Sequence, residues 1–445
     1  MTSYWCPLAW LGGERAESDV LVEVEDGRIA TVTTGERSPS RDVRILEGVT
    51  LPGLANTHSH AFQRALRGRT QQVRGSFWTW REQMYRLAAR LDPATYLALA
   101  RATYAEMAMA GVTTVGEFHY VHHTPGGRRY ADPNEMGRVL LAAAAEAGVR
   151  ITLIDSCYLH GGIGEPASDA QRRFSDGSAD AWAERVNDLD ENESARIGAA
   201  IHSMRAVDPE SAATVAEWAR ERKRPLHAHV SEQPAENEAC LDAYGRTPTA
   251  LLAEAGALEA GFTAVHATHL DAGDVRLLGD AGACCCVCPT TERDLADGIG
   301  RMRPLVDAGA SLAVGSDSHA VIDMFEEARA VELDERLASG ERCHHSALDL
   351  LRAATEGGHR SLGWSEAGRI AVGAPADLVT VGLDGVRMAG SDPETILQTV
   401  VFAATAADVR TVIVDGVEIV RDGRHGIDPS ALHEAVRAAT GLAGR

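Results

Sequence analysis

Two histidines one residue apart, His58 and His60, sit near the middle of LPGLANTHSHAFQRAL, which begins at Leu51. In an extended strand residues i and i+2 face the same way, so both imidazoles can reach one ion. Taken alone, the pair reads equally as two hydrogen-bonded core histidines. His229 in PLHAHV and Asp317 in SLAVGSD end two more apolar segments. Three imidazoles and one carboxylate suit a single divalent ion such as zinc, with iron or manganese also compatible. Such an ion lowers the pKa of a bound water toward about 7 and so generates a hydrolytic nucleophile. Glu232, three residues beyond His229, could take that water's proton and deliver it to a leaving amine, with Asp317 sharing the handling of the water's protons. His266, in FTAVHAT, could polarise the electrophile or steady an oxyanion.

These residues need a scaffold that collects distant strand ends. Eight short apolar segments recur between residues 49 and 317: VTLPGLAN, VTTVGEF, RITLIDS, RIGAAIHS, PLHAHV, FTAVHAT, ACCCVCP and SLAVGSD. Amphipathic helical patterns separate most of them, among them DPATYLALARATYAEMAMAG from Asp92 and DPESAATVAEWARERKR from Asp208, each with an aspartate cap. Alternation of this kind predicts an α/β fold, a (β/α)8 TIM-type barrel spanning 49–367. Active sites in such barrels form at the C-terminal strand ends. There the sequence places Glu117, His119 and Tyr120 after the second strand, and His202 and Arg205 after the fourth. His227 is expected one layer deeper, in a structural role, and His269 one step off the inward set. The Cys284–Cys288 run reads as small core side chains of the seventh strand.

The ends of the chain differ in character. DVLVEVEDGRIATV near the start and VRTVIVDGVEIVRDGR near the end carry Asp-Gly hairpin signals. Residues 1–48 and 368–445 are therefore expected to form a small β-sandwich domain beside the barrel.

Charge and composition narrow the function. Across 445 residues the net charge is −21 and 45% of residues are apolar. An acidic surface disfavours nucleic acid and anionic membrane as partners. No run of about 18 apolar residues occurs, and the start lacks a basic, then apolar, leader pattern, so a cytoplasmic protein is expected. The crowded cysteines predict a reduced chain without disulfides. The only lysine, Lys223, lies in the charged run ARERKRP. That argues against Schiff-base chemistry and against a lysine-bridged metal pair.

Together these residues resemble the mononuclear deaminase branch of the amidohydrolase superfamily, over almost the whole chain. HSHAFQRAL, SFWTWREQMYRLA, EFHYVHH, IHSMRAV, VHATHL and CPTTE narrow the resemblance to its formimidoylglutamate deiminase family. The resemblance implies hydrolysis of N-formimidoyl-L-glutamate to N-formyl-L-glutamate and ammonia in histidine degradation, by a homodimer with one zinc per site. A dicarboxylate substrate bound by an acidic protein requires local cations, and arginine holds carboxylates bidentately. Arg81 and Arg205 fill that need, with Gln63, Tyr120 and His202 as further substrate contacts. After CPTTE the family continues with Ala-Asn-Leu, whereas this chain has Arg293 and Asp294 before Leu295. The alternatives are a ring deaminase of the same branch acting on a purine, pyrimidine or triazine, a cyclic-amide hydrolase, and a non-catalytic metal scaffold.

Overall fold

The structure, a computed structural model, describes residues 1–37, 42–72, 74–259 and 261–441. Eight parallel strands form the central barrel: Leu54–Ser59, Val112–His119, Arg150–Cys157, Ala195–Ile201, Leu226–Val230, Phe262–His266, Cys284–Val287 and Ser311–Val314. Each pairs with its sequence neighbour, and every residue of the first six except Arg196 is buried. Burial on both faces explains why the strands read as continuous apolar runs rather than alternating ones.

The first and eighth strands meet through their C-terminal extensions. Asp317 N–H donates to His58 O at 3.0 Å, and His60 N–H donates to Asp317 O at 3.1 Å. A side chain at Gly315 would stand 2.8 Å from the His58 nitrogen, so only glycine permits this approach. The seam that closes the barrel is thus made by the same residues whose side chains could hold an ion.

The segment read from the sequence as the first strand, 49–56, is two strands. Val49–Pro52 leaves the barrel and pairs with Thr2–Trp10 and Leu378–Val381 in a nine-stranded sheet built from both termini. The break falls at Gly53, where a Cβ would lie 2.2 Å from the Thr113 hydroxyl. All three Asp-Gly pairs of this sheet, Asp26-Gly27, Asp415-Gly416 and Asp422-Gly423, have positive φ at both residues. This is the turn that matches strand twist. The sheet curls until its ends meet: Ala376 N–H donates to Gly27 O at 2.9 Å, and the Tyr4 hydroxyl to Gly416 O at 3.0 Å. Tyr4, Cys6, Val22, Ile29, Leu378 and Ile413 fill the space between. Arg150, buried at the start of the third barrel strand, ties the two units together by pairing with Asp377 and Asp415.

The helices follow their caps. Asp92 accepts from Thr95 N–H at 2.8 Å ahead of Pro93–Met109, and Asp208 from Ser211 N–H at 3.0 Å ahead of Pro209–Arg222. Lys223 ends the latter helix on the surface with φ of 54°. Among the described residues no helix is long and apolar enough to cross a membrane. All eight cysteines are free, and only Cys343 is exposed.

Candidate metal and catalytic centre

His58 and His60 leave the first strand on the same inward face. His58 Nε2 lies 3.2 Å from His229 Nε2 and 3.4 Å from Asp317 Oδ1, which is itself 3.4 Å from His60 Nε2. Ligands about 2.1 Å from a tetrahedral ion stand roughly 3.4 Å apart. The donor atoms therefore already have the spacing of a coordination shell.

Their hydrogen bonds also fit. His60 Nδ1 donates to Phe118 O at 2.8 Å, and His229 Nδ1 to His202 O at 2.8 Å. Because a carbonyl only accepts, each Nδ1 carries the proton and each Nε2 offers a lone pair to the centre. Burial, with neighbouring histidines adding to it, holds His58 and His229 well below the usual imidazole range, and burial lowers His60 despite Asp317. Neutral imidazoles are the form that ligates metal.

His266 stands across this cluster. Its Nε2 is 3.8 Å from Glu232 Oε1 and 3.9 Å from Asp317 Oδ2, and its Nδ1 is 3.3 Å from Glu292 Oε1. Burial opposes a charge on this ring, yet Glu232, Glu292 and Asp317 raise it to about 10. The backbone at these strand ends is strained. Ser231, His266, Ala267, Asp317 and His319 all have φ between 42° and 69°. Left-handed non-glycine residues of this kind gather where side-chain placement outweighs backbone comfort.

A cavity opens above the cluster. Gln63, Tyr120, His202, Arg205, Glu232, His266 and Asp317 line it together with His60 and His229, while His58 lies behind them. Gln63 Nε2 donates to the Tyr120 hydroxyl at 3.1 Å. Arg81 lines the same cavity from helix Phe77–Ala88, its guanidinium 4.5 Å above the Trp78 ring. It has no carboxylate partner among the described residues. Arg205, by contrast, pairs through Nη2 with Glu232 Oε2 at 3.1 Å. Every residue singled out from the sequence for metal, catalysis or substrate contact thus converges on one place.

Sequence reasoning missed part of the wall: Phe77, Trp80, Tyr85 and Tyr158. The aromatic stretch FWTW was the available signal for the first two. It also missed Glu236, which is fully buried behind Arg205. Two residues expected at the second strand end do not join the site. Glu117 accepts from the Ser59 hydroxyl at 2.6 Å and Ala61 N–H at 2.7 Å, on the outer side of the strand. His119 packs beside Tyr96 and His122 under the outer helices. Phe118 and Tyr120 point inward instead, with Phe118 4.4 Å from the His229 ring.

The cysteine run is the seventh strand, as read. Cys284, Cys286 and Cys288 pack with Val265 and Ala313 inside the barrel. Cys288 comes close to His266 and Asp317, but burial pushes its thiol well up, which disfavours the thiolate a metal would need. His227 donates to Ser361 O at 3.1 Å one layer below the site, and His269 reaches Asp297 O at 2.6 Å. The Arg293–Asp294 pair splits. Arg293 turns outward to Glu326 and Asp334, whereas Asp294 accepts from Gln71 at 2.9 Å near the cavity mouth.

The model of the amidohydrolase family matches residues 49–419. Formimidoylglutamate deiminase of Pseudomonas aeruginosa is 40% identical over 395 residues, covering 85% of this chain and 86% of that one. A 5-methylthioadenosine/S-adenosylhomocysteine deaminase of Natronomonas pharaonis is 31% identical over 96% of this chain and 94% of its own. Among solved structures, an amidohydrolase from Brucella melitensis superposes with a TM-score of 0.91 at 32% identity, covering 99% of each chain.

Proposed function

This chain belongs to the amidohydrolase family and is a hydrolase of carbon–nitrogen bonds, and we propose that it converts N-formimidoyl-L-glutamate and water to N-formyl-L-glutamate and ammonia. The observation that carries this reading is one cavity joining a histidine–aspartate cluster to two guanidiniums, Arg81 and Arg205. A substrate with two carboxylates needs two such groups. The similarity to the Pseudomonas deiminase supports the same choice.

The residues His58, His60, His229 and Asp317 would hold one zinc ion. Bound there, zinc supplies a water acidified toward neutrality and a Lewis acid beside the reacting carbon. The chain does the rest. Arg81 and Arg205 fix the two carboxylates, and Gln63, Tyr120 and His202 align the stem, so that the formimidoyl carbon faces Glu232 and His266. Glu232 takes a proton from the attacking water. His266, held at Nδ1 by Glu292, donates from Nε2 to the tetrahedral centre. Glu232 then returns the proton to the terminal nitrogen of the substrate amidinium, Asp317 takes the proton left on the new hydroxyl, the carbon–nitrogen bond breaks and ammonia leaves. The reading includes a cytoplasmic homodimer acting in histidine degradation.

A zinc-loaded preparation should release ammonia from N-formimidoyl-L-glutamate. Folded, metal-bound protein without turnover would falsify the substrate assignment. The aromatic side chains Phe77, Trp80, Tyr85 and Tyr158 favour a second reading, a ring deaminase. Arg205→Met separates the two, because it should abolish dicarboxylate turnover and spare a ring substrate.

A further inference from the structure

Arg205 carries more negative charge than it can balance. Glu232 Oε2 sits 3.1 Å from its Nη2, and Glu236 Oε2 lies 3.9 Å from its Nε. A substrate carboxylate arriving here would be the third for one guanidinium. Arg205 borders the cavity, and its Nη1 is buried without a hydrogen-bond partner.

The two glutamates differ in freedom. Glu236 has no exposed surface and follows Gln233 in the first turn of helix Pro234–Tyr244. Its Oε2 accepts from the Glu232 backbone N–H at 3.3 Å, which fixes the turn that carries Glu232. Glu232 itself borders the cavity, and its other oxygen, Oε1, already faces His266 at 3.8 Å. If a carboxylate must leave Arg205, Glu232 is the one with somewhere to go.

We propose that Arg205, Glu232 and Glu236 form a lock released by the substrate. In the resting site Arg205 holds Glu232 away from the reacting atoms. A substrate carboxylate takes Glu232's place on the guanidinium, while Glu236 keeps the guanidinium anchored. Glu232 swings toward His266 and becomes free to carry protons. Glu236 is thus a positioning residue, and the proton shuttle is armed only when a carboxylate is present. The lock rests on the dicarboxylate reading above.

N-Methylformamidine, an amidine without a carboxylate, tests it on the zinc-loaded protein. Acetate added in trans should accelerate its turnover, because acetate on Arg205 releases Glu232. In Glu236→Gln the half-activating acetate concentration should rise about tenfold, the effect of losing one modest ionic contact, with zinc content unchanged. A purely structural role would lower zinc content or stability and shift both amidines alike. Acetate that inhibits or does nothing, while N-formimidoyl-L-glutamate turns over, overturns the lock and leaves the substrate reading standing. Acceleration by acetate without turnover of N-formimidoyl-L-glutamate does the reverse. A crystal of the zinc-loaded protein soaked in glutarate gives an answer independent of turnover. Glu232 should have left Arg205 with a carboxylate in its place; a retained Glu232–Arg205 pair, or no bound glutarate, refutes the lock.

Discussion

Two buried clusters in this molecule are made of the same residue types and behave as opposites. At the inner strand ends His58, His60, His229 and His266 surround Asp317. Outside the barrel, under the helices that follow the second and third strands, His119, His122 and His123 surround Asp155 and Asp176. Both contain trios with the spacing of metal ligands. The outer cluster has a resident cation. Arg185 donates to both oxygens of Asp155 at 2.7 and 2.9 Å and to Asp176 at 2.9 Å. Trp182 Nε1 adds a further bond to Asp155 at 2.9 Å, and His122 Nε2 is committed to Ser156 O at 2.9 Å. Both carboxylates are thus already neutralised by Arg185, although His119, His122 and His123 each keep a buried Nδ1 without a hydrogen-bond partner. No arginine or lysine among the described residues pairs with Asp317, and the nearby imidazoles present lone pairs. A metal cluster is thus distinguished from an ionic network by the cation it lacks, not by the donors it collects.

The strongest contrast concerns metal. Asp317→Asn should empty the inner site and lower ammonia release by about a thousandfold or more, since both the ion and its nucleophile depend on that ligand set. His122→Asn should leave zinc stoichiometry and turnover intact. Metal analysis of both variants decides, and metal loss in His122→Asn would erase the distinction.

Stability should show the reverse. Arg185→Met leaves Asp155 and Asp176 buried without their cation, at a cost of about 3–5 kcal/mol. Thermal unfolding should fall by several degrees while zinc content holds. A variant as stable as the parent would mean that the outer network is not ionic in the folded protein.

Acid should weaken both regions through neutral histidines. Burial keeps His119 in the outer cluster and His227 beneath the inner one at about 4, against an ordinary 6.5. Between those values the unfolded chain binds protons that the folded one refuses. The stability they contribute is present above about 6.5 and is lost as pH falls toward about 4. Urea midpoints across that window should decline, and His119→Gln should remove at most about 1.4 kcal/mol per pH unit of the slope.

The smallest effect belongs to the charge pair that departs from the family pattern. Arg293→Ala removes half-exposed ion pairs with Glu326 and Asp334 and should cost no more than about 1 kcal/mol. Zinc content should not move; a larger loss would give this loop a role in holding the site.

The sequence made the barrel legible because each strand is a short apolar run and each helix between carries its own cap. It made the ligands legible because HxH has the strand period of two. Facing was harder to read at the second strand. All eight residues of Val112–His119 are buried, so no polar alternation marks which face is inward. Glu117 and His119 were therefore placed at the inward strand end, with no role given to either, and Phe118 was passed over. Glu236 escaped for another reason. A glutamate in the first turn of a helix reads as an ordinary surface residue, and only the fold shows that this turn is buried against Arg205. The split at Gly53 was hidden because Val49–Asn56 is apolar on both sides of the break.

That split places a hinge between two units of different fate. The strand bearing His58 and His60 enters the barrel straight from the terminal sheet, with a single glycine between them. Peeling that sheet from the barrel would tug on two ligands through the chain itself, and on the third strand through the Arg150 ion pairs. Zinc escaping into a chromogenic chelator during slow denaturation would then sound an early alarm for the termini, well ahead of the collapse of the barrel itself.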